Sequence, residues 1–229
     1  MIKDKKIEMD REIYEKITAK KEFSQLPKKD VELAIEKFEK KDLKEYQLMK
    51  LTRNFLRKIY SSFSSRKLLG INKNKNVDWF LNKHKSTKER LPYYKEIYSK
   101  VFSGFEKEKE VSVIDLGAGI NGLSYEFMED ALNNNEKLHS QAHDIYLIVN
   151  DKFRAKDEQS KLLGAEDKLK INYFGVEAVG QLVDLMNNYF KENKISGKAY
   201  HLSLFELEKI KELIKTTKKP RIILLFKVI

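Results

Sequence analysis

Hydrophobic positions recur at two different spacings along this chain, and the change falls near residue 110. After Pro27, Val31, Ala34, Ile35 and Phe38 repeat at helical spacing, and Leu48, Leu51, Phe55 and Ile59 do so again, predicting two amphipathic helices. Around these stripes lie Lys28, Lys29, Lys40, Lys41, Lys50, Arg53, Arg57 and Lys58, which suit a phosphate backbone as well as they suit an ordinary solvated face. SSFSSRK and the lysine- and asparagine-rich run Asn72 to Asn76 mark a loop, and Val77 to Leu81 form a short apolar anchor around Trp79. From Ser86, STKE has the form of a capping box, the hydroxyl accepting from the Glu89 amide. Pro92 predicts a kink, after which Tyr94, Ile97, Tyr98, Val101 and Phe102 form an apolar helical face that packs the N-terminal bundle onto the C-terminal half of the chain.

From Val111 the rhythm becomes strand, helix, strand. VSVIDL, INYFGV, KAYHLSL and RIILLFKVI read as strands, with GLSYEFMEDAL, AVGQLVDLMNNYF and FELEKIKELIK as helices between them. This alternation predicts an α/β protein with a parallel, doubly wound sheet. Residues 133–170 hold an extra strand-like segment, IYLIV, and a charged helical one, RAKDEQSKLL, so they form either another strand–helix unit or an insertion. Arg221 to Ile229 reads as a buried strand with nothing after it to cover the sheet edge. A C-terminally incomplete fragment is the favoured explanation, a partner that completes the sheet the other.

Composition narrows the chemistry. The chain has 229 residues and 41% hydrophobic content, enough for one domain plus an appendage. No apolar run reaches the ~20 residues of a membrane span, and the charged start MIKDKKIEMDREIYEK is unlike a signal peptide, so a cytoplasmic location is expected. The absence of cysteine excludes disulfides, thiolate zinc sites, iron–sulfur radical chemistry and a cysteine nucleophile, and with it thiol-assisted methylation of a pyrimidine carbon. The formal charge of +11 favours a polyanionic partner, although nearly all of it is lysine, as a lysine-rich proteome also produces.

Val111 to Gly122, VSVIDLGAGING, joins a buried strand to a glycine turn that leads into a helix. Gly117, Gly119 and Gly122 are expected to let the backbone turn tightly and approach a ligand. Asp115, two residues before the first glycine, suits S-adenosylmethionine, because a carboxylate there attracts the cofactor's cationic amino-acid end. A dinucleotide fits the bare G-x-G-x-x-G pattern less well once that acid is counted.

The string HKSTKERL, His84 to Leu91, lies between a lysine-rich helical region and DLGAGING. On these motifs the chain resembles the aminoglycoside-resistance family of small-subunit ribosomal RNA methyltransferases, which modify guanine at N7. The similarity runs from about Phe23 through Gly122 and resumes from Ile171 to the C-terminus. It implies a Class I methyltransferase, Rossmann-like fold in three parts: residues 1–82 as a helical ribosome-docking domain, 83–110 as a linker helix, and 111–229 as the cofactor domain, with an insertion at about 133–170. Arg90 would contact the cofactor's carboxylate end, a task that suits a forked guanidinium, with Gly117 and Gly119 at the turn. His84 carries no assigned chemistry. The ribose acid is Glu177, closing INYFGVE before a strong helix, or Asp151, closing IYLIVND, and the uninterrupted strand–acid–helix block favours Glu177. Ser203, Leu204 or Phe205 would lie beside the adenine, with Leu204 the chosen residue, although Phe205 serves equally well as core. Lys227 matches a lysine near the family's methyl-transfer site and equally suits a charged strand end.

The implied reaction is in-line displacement at the sulfonium methyl by guanine N7, whose in-plane lone pair needs no general base. The prolines, Pro27, Pro92 and Pro220, form no Pro–Pro–aromatic motif of the kind that positions exocyclic amines. The implied partners are the small ribosomal subunit and its 16S-type rRNA, with a monomer expected if the chain is complete, and the implied role includes antibiotic resistance. A small-molecule Class I methyltransferase and a non-catalytic RNA-binding protein of the same fold are the alternatives.

Overall fold

The computed structural model describes residues 11–39, 43–60, 76–105, 108–132 and 169–226. Helix α1 (residues 11–18) is followed by α2 (Lys28–Glu39) and α3 (Glu45–Tyr60). Ile13, Ile17, Phe23, Leu26, Val31, Ala34, Ile35, Leu48 and Leu56 bury one another in a small core of their own. Pro27 stands just before α2, its carbonyl accepting from the Asp30 and Val31 amides, which suits a residue without an amide hydrogen. On α3 the most deeply buried ridge is Leu48, Thr52 and Leu56 rather than the expected Leu48, Leu51, Phe55 and Ile59. The two ridges are adjacent stripes of one helix, and Phe55 and Ile59 turn toward a cavity shared with the sheet domain.

Helices α4 (Val77–Lys83) and α5 (Lys85–Arg90), a 3-10 turn (Leu91–Tyr93) and α6 (Tyr94–Phe102) lead into the sheet. Asn76 caps α4, its side chain accepting from the Trp79 amide at 3.0 Å. The capping box predicted at Ser86 does not form: His84 is the N-cap of α5, and Ser86 already lies inside its first turn. Thr87 instead donates its hydroxyl to the carbonyls of Leu81 (2.7 Å) and His84 (3.0 Å), locking the α4–α5 corner. Pro92 falls in the 3-10 turn, where the expected kink occurs. Tyr94, Tyr98 and Phe102 of α6 pack onto the C-terminal half as expected, in the core of the sheet domain, and none of the three joins the core of the N-terminal helices.

Strands β1 (Glu110–Leu116), β2 (Lys170–Glu177), β3 (Gly197–His201) and β4 (Arg221–Leu224) form a parallel sheet in the order β3-β2-β1-β4. Between β1 and β2 a 3-10 turn (Asn121–Ser124) runs into α7 (residues 125–132). Helices α8 (Gly180–Glu192) and α9 (Leu207–Thr216) precede β3 and β4 respectively. Parallel strands joined by helices are the expected α/β architecture, and central β1, paired on both sides, is buried along nearly its whole length. The fourth strand is shorter and more open than predicted. It ends at Leu224, and Ile223 (51% exposed) and Leu225 (62%) face outward, as befits a strand paired only with β1 among the described residues. The third strand likewise stops at His201, so Ser203 and Leu204 belong to the loop after it. IYLIV, RAKDEQSKLL and Asp151 lie outside the described residues, as does Lys227. No described helix is long and apolar enough to cross a membrane.

The two cores meet just beyond the tip of β2. Val179 packs against both, and the Gly180 amide donates to the Gln25 carbonyl at 3.2 Å. A side chain at position 180 would meet the Gln25 amide oxygen at 2.7 Å, so glycine permits this close approach of helix α8 to the N-terminal module.

Candidate cofactor site

The turn after β1 is built from backbone. Gly117 and Gly119 hold φ of 72° and 58°, left-handed values that side-chain-bearing residues rarely adopt. The Gly117 and Ala118 amides both donate to the Val176 carbonyl at 2.9 Å, which ties the turn to β2. Gly122 plays a different part from the one its place in the motif suggested. A Cβ there would meet Phe190 Cζ at 2.6 Å and Tyr173 Cε1 at 3.0 Å, so it is a packing glycine beneath the sheet.

Glu177 closes β2 directly beside the turn. One carboxylate oxygen accepts from the Gly119 amide and the other from the Val179 amide, each at 2.8 Å. Burial pushes its pKa up, and the amide donors partly oppose that. The carboxylate retains acceptor capacity for a ligand beyond these amides.

Behind the turn lies a buried polar network that the sequence did not reveal. Asn121 is its hub: its carbonyl oxygen accepts from Arg90 (3.2 Å) and the Tyr94 hydroxyl (2.7 Å), and its amide donates to Asp115 (2.7 Å) and Tyr98 (3.1 Å). Tyr173 donates to the same Asp115 oxygen at 2.7 Å, and Tyr98 shares a 2.7 Å bond with Ser124. Asp115 is fully buried, and desolvation raises its pKa against the donors from Tyr173 and Asn121. Two atoms at this edge lack hydrogen-bond partners among the described residues, Asp115 Oδ1 and Arg90 Nε. The Arg90 guanidinium also lies 4.5 Å from the centroid of the Phe226 ring.

In front of the turn opens a cavity of about 530 Å³, within the roughly 300–1,000 Å³ typical of small-molecule sites. Gly117, Gly119, Glu177 and Leu204 line it, and Phe205, 61% exposed, stands at its margin rather than in the core. Arg90 and Asp115 do not line it; they stand one layer behind, joined through Asn121. Helices α2 and α3 form the opposite wall.

His84, given no role from sequence, is 2% exposed and also lines the cavity. Its ring sits so close to the turn that a Cβ at Gly119 would meet His84 Cε1 at 2.7 Å. Its Nδ1 lies 3.4 Å from Ser86 Oγ, whereas Nε2 has no partner among the described residues. Burial, and then the charge of Arg90, lowers its pKa to about 4, which keeps the imidazole neutral at physiological pH.

The basic helices are less free than their sequence suggests. Arg57 is bound to Glu22, Arg53 donates to the Lys16 carbonyl at 2.7 Å, and Lys28 lies 3.5 Å from Glu32. Two of the three hold the N-terminal module together across more than 30 residues of sequence.

A parallel sheet with a glycine turn after its first strand and an acid at the tip of its second is a Rossmann-like arrangement, and its likeness to solved structures is to the Class I methyltransferase form of that fold. Among solved structures the chain is similar to the 16S rRNA methylase RmtB, with a TM-score of 0.58 and 16% identity over 86% of this chain and 65% of that one. It is also similar to an rRNA methylase from Escherichia coli (TM-score 0.56, 17% identity, 86% of this chain and 65% of that one). A third is the 16S rRNA methyltransferase RmtF in complex with S-adenosyl-L-homocysteine (TM-score 0.54, 17% identity, 87% of this chain and 64% of that one). This chain therefore spans about 65% of the length of the solved methylases it resembles. No protein-family model and no curated protein matches it.

Proposed function

We propose that this chain is an S-adenosylmethionine-dependent methyltransferase that acts on a guanine N7 of small-subunit ribosomal RNA. The observation that carries the reading is the cavity between the glycine turn and helices α2 and α3, where the Glu177 carboxylate, held by the Gly119 and Val179 amides, stands beside the turn. One layer behind it Arg90 Nε and Asp115 Oδ1 are buried, opposite in formal charge and unpartnered among the described residues. The cofactor's amino-acid end bears one carboxylate and one ammonium, and the charges of this pair bear on them from behind the cavity wall. Glu177 retains acceptor capacity for the ribose hydroxyls, and Leu204 supplies an apolar wall for the adenine.

When bound, S-adenosylmethionine supplies a methyl group on a cationic sulfur. The chain's own residues then have two tasks, orientation and exclusion of water. Gly117 and Gly119 admit close backbone approach, the charges of Arg90 and Asp115 orient one end of the ligand from one layer behind, and Glu177 holds the other. Guanine N7 attacks with its own lone pair, so no side chain need remove a proton. Lys227 is proposed to lie near the transfer site, and the net charge of +11 supports an RNA substrate. The likeness to three solved rRNA methylases supports the same substrate class.

The test is transfer of a labelled methyl group to purified small ribosomal subunits, followed by mapping of the modified base. Label at a guanine N7 is expected. Absence of label from a protein that demonstrably binds the cofactor would sink the reading, and label on a small molecule alone would favour the small-substrate alternative.

A further inference from the structure

The wall opposite the glycine turn holds a buried acid of which the described residues engage only one oxygen. Asp30, near the start of α2, is 6% exposed and lines the cavity. One of its oxygens accepts from the Tyr60 hydroxyl, which α3 presents from 30 residues away. The other, Oδ2, is buried and has no hydrogen-bond partner among the described residues. A buried carboxylate oxygen left unmet is costly, so an acid kept in such a place is best explained by a donor that arrives with a ligand. Tyr60 holds that acid in position. Its hydroxyl is pushed well up, by burial first and then by its bond to Asp30, so it stays a donor. Asp30, Tyr60 and Glu177 line the same cavity, and the charge of Glu177 adds to the upward push on Tyr60.

We propose that the N-terminal helices complete the cofactor site, with Asp30 Oδ2 accepting a hydrogen bond from the nucleoside half of the cofactor and Tyr60 positioning Asp30. The inference rests on the S-adenosylmethionine reading and adds a second acid to it, from a different core. The nucleoside offers two kinds of donor, the adenine exocyclic amine and the ribose hydroxyls, and both suit a carboxylate acceptor. The seam at Val179 and Gly180 brings the N-terminal core, to which α2 and α3 belong, against the residues just after Glu177.

Calorimetric titration of the full chain with S-adenosylhomocysteine tests this. Asp30→Asn keeps an acceptor for Tyr60 but turns one oxygen into a donor, and it is expected to weaken binding about tenfold or more while leaving the urea midpoint nearly unchanged. Tyr60→Phe is expected to weaken binding less, by a few fold. S-inosylhomocysteine lacks the amine, and the 2′-deoxy and 3′-deoxy analogues each lack one hydroxyl; whichever donor meets Asp30, removing it is expected to cost the wild type about what Asp30→Asn costs, and to cost the variant little more. Asp30→Asn binding within twofold of wild type, or losses that add in full for all three analogues, overturns the contact. A wild-type protein that binds none of these ligands overturns the cofactor reading itself, and the contact with it.

Discussion

The two sides of the glycine turn differ in how their polar groups are satisfied. Behind it, Asn121, Asp115, Tyr94, Tyr98, Tyr173 and Ser124 bind one another so fully that few hydrogen-bonding positions remain. In front, Asp30 Oδ2 and His84 Nε2 are buried without partners among the described residues. Buried polar atoms are ordinarily paired, so the first side is framework and the second is shaped for a ligand. Arg90 and Asp115 stand at the boundary, each with one atom committed to the network and one left over.

The largest effect is expected from breaking the framework. Asn121→Leu removes the partner shared by Arg90, Asp115, Tyr94 and Tyr98, and should cost about 3 kcal/mol or more, read as a lowered urea midpoint. Next comes the contact between the two sides. Gly119→Ala combines a left-handed φ with a Cβ only 2.7 Å from His84 Cε1, and should cost about 1–3 kcal/mol. Adding His84→Ala should return part of that loss, because the clash is removed and only the backbone strain remains; a double-mutant cycle measures the difference.

The third prediction concerns His84 alone. A histidine whose folded pKa is depressed binds fewer protons folded than unfolded, so its neutral form contributes stability at higher pH. That contribution is complete above the ordinary value of 6.5 and is lost as pH falls toward about 4, amounting to roughly 3 kcal/mol. Urea midpoints followed across that window should fall more steeply for the wild type than for His84→Gln, which does not titrate. Parallel curves would remove His84 from the acid sensitivity of the fold.

Much of the scaffold was legible because it rests on local pattern. The apolar run of β1, the helix after Pro27 and the glycine turn are all written in neighbouring residues. What escaped depends on contacts across long separations. Asn121 sits inside the most conspicuous motif of the chain, yet its importance comes from Arg90, 31 residues earlier, and from Tyr94, 27 residues earlier. Asp30 looks like any acid in a first helical turn until its burial and its bond to Tyr60, 30 residues on, are seen. Gly122 read as part of the turn because spacing cannot separate a glycine that bends the chain from one that makes room for Phe190. STKE satisfied the capping pattern, but the α4–α5 corner secured by Thr87 starts the helix two residues too early for that box to close.

The most direct test of the account is a crystal structure of the protein grown with S-adenosylhomocysteine. The ligand is expected between the Gly117–Gly119 turn and helices α2 and α3, with its amino-acid end toward Arg90 and Asp115 and its ribose at Glu177. Ligand bound elsewhere, or a cavity still empty at saturating concentration, would contradict it.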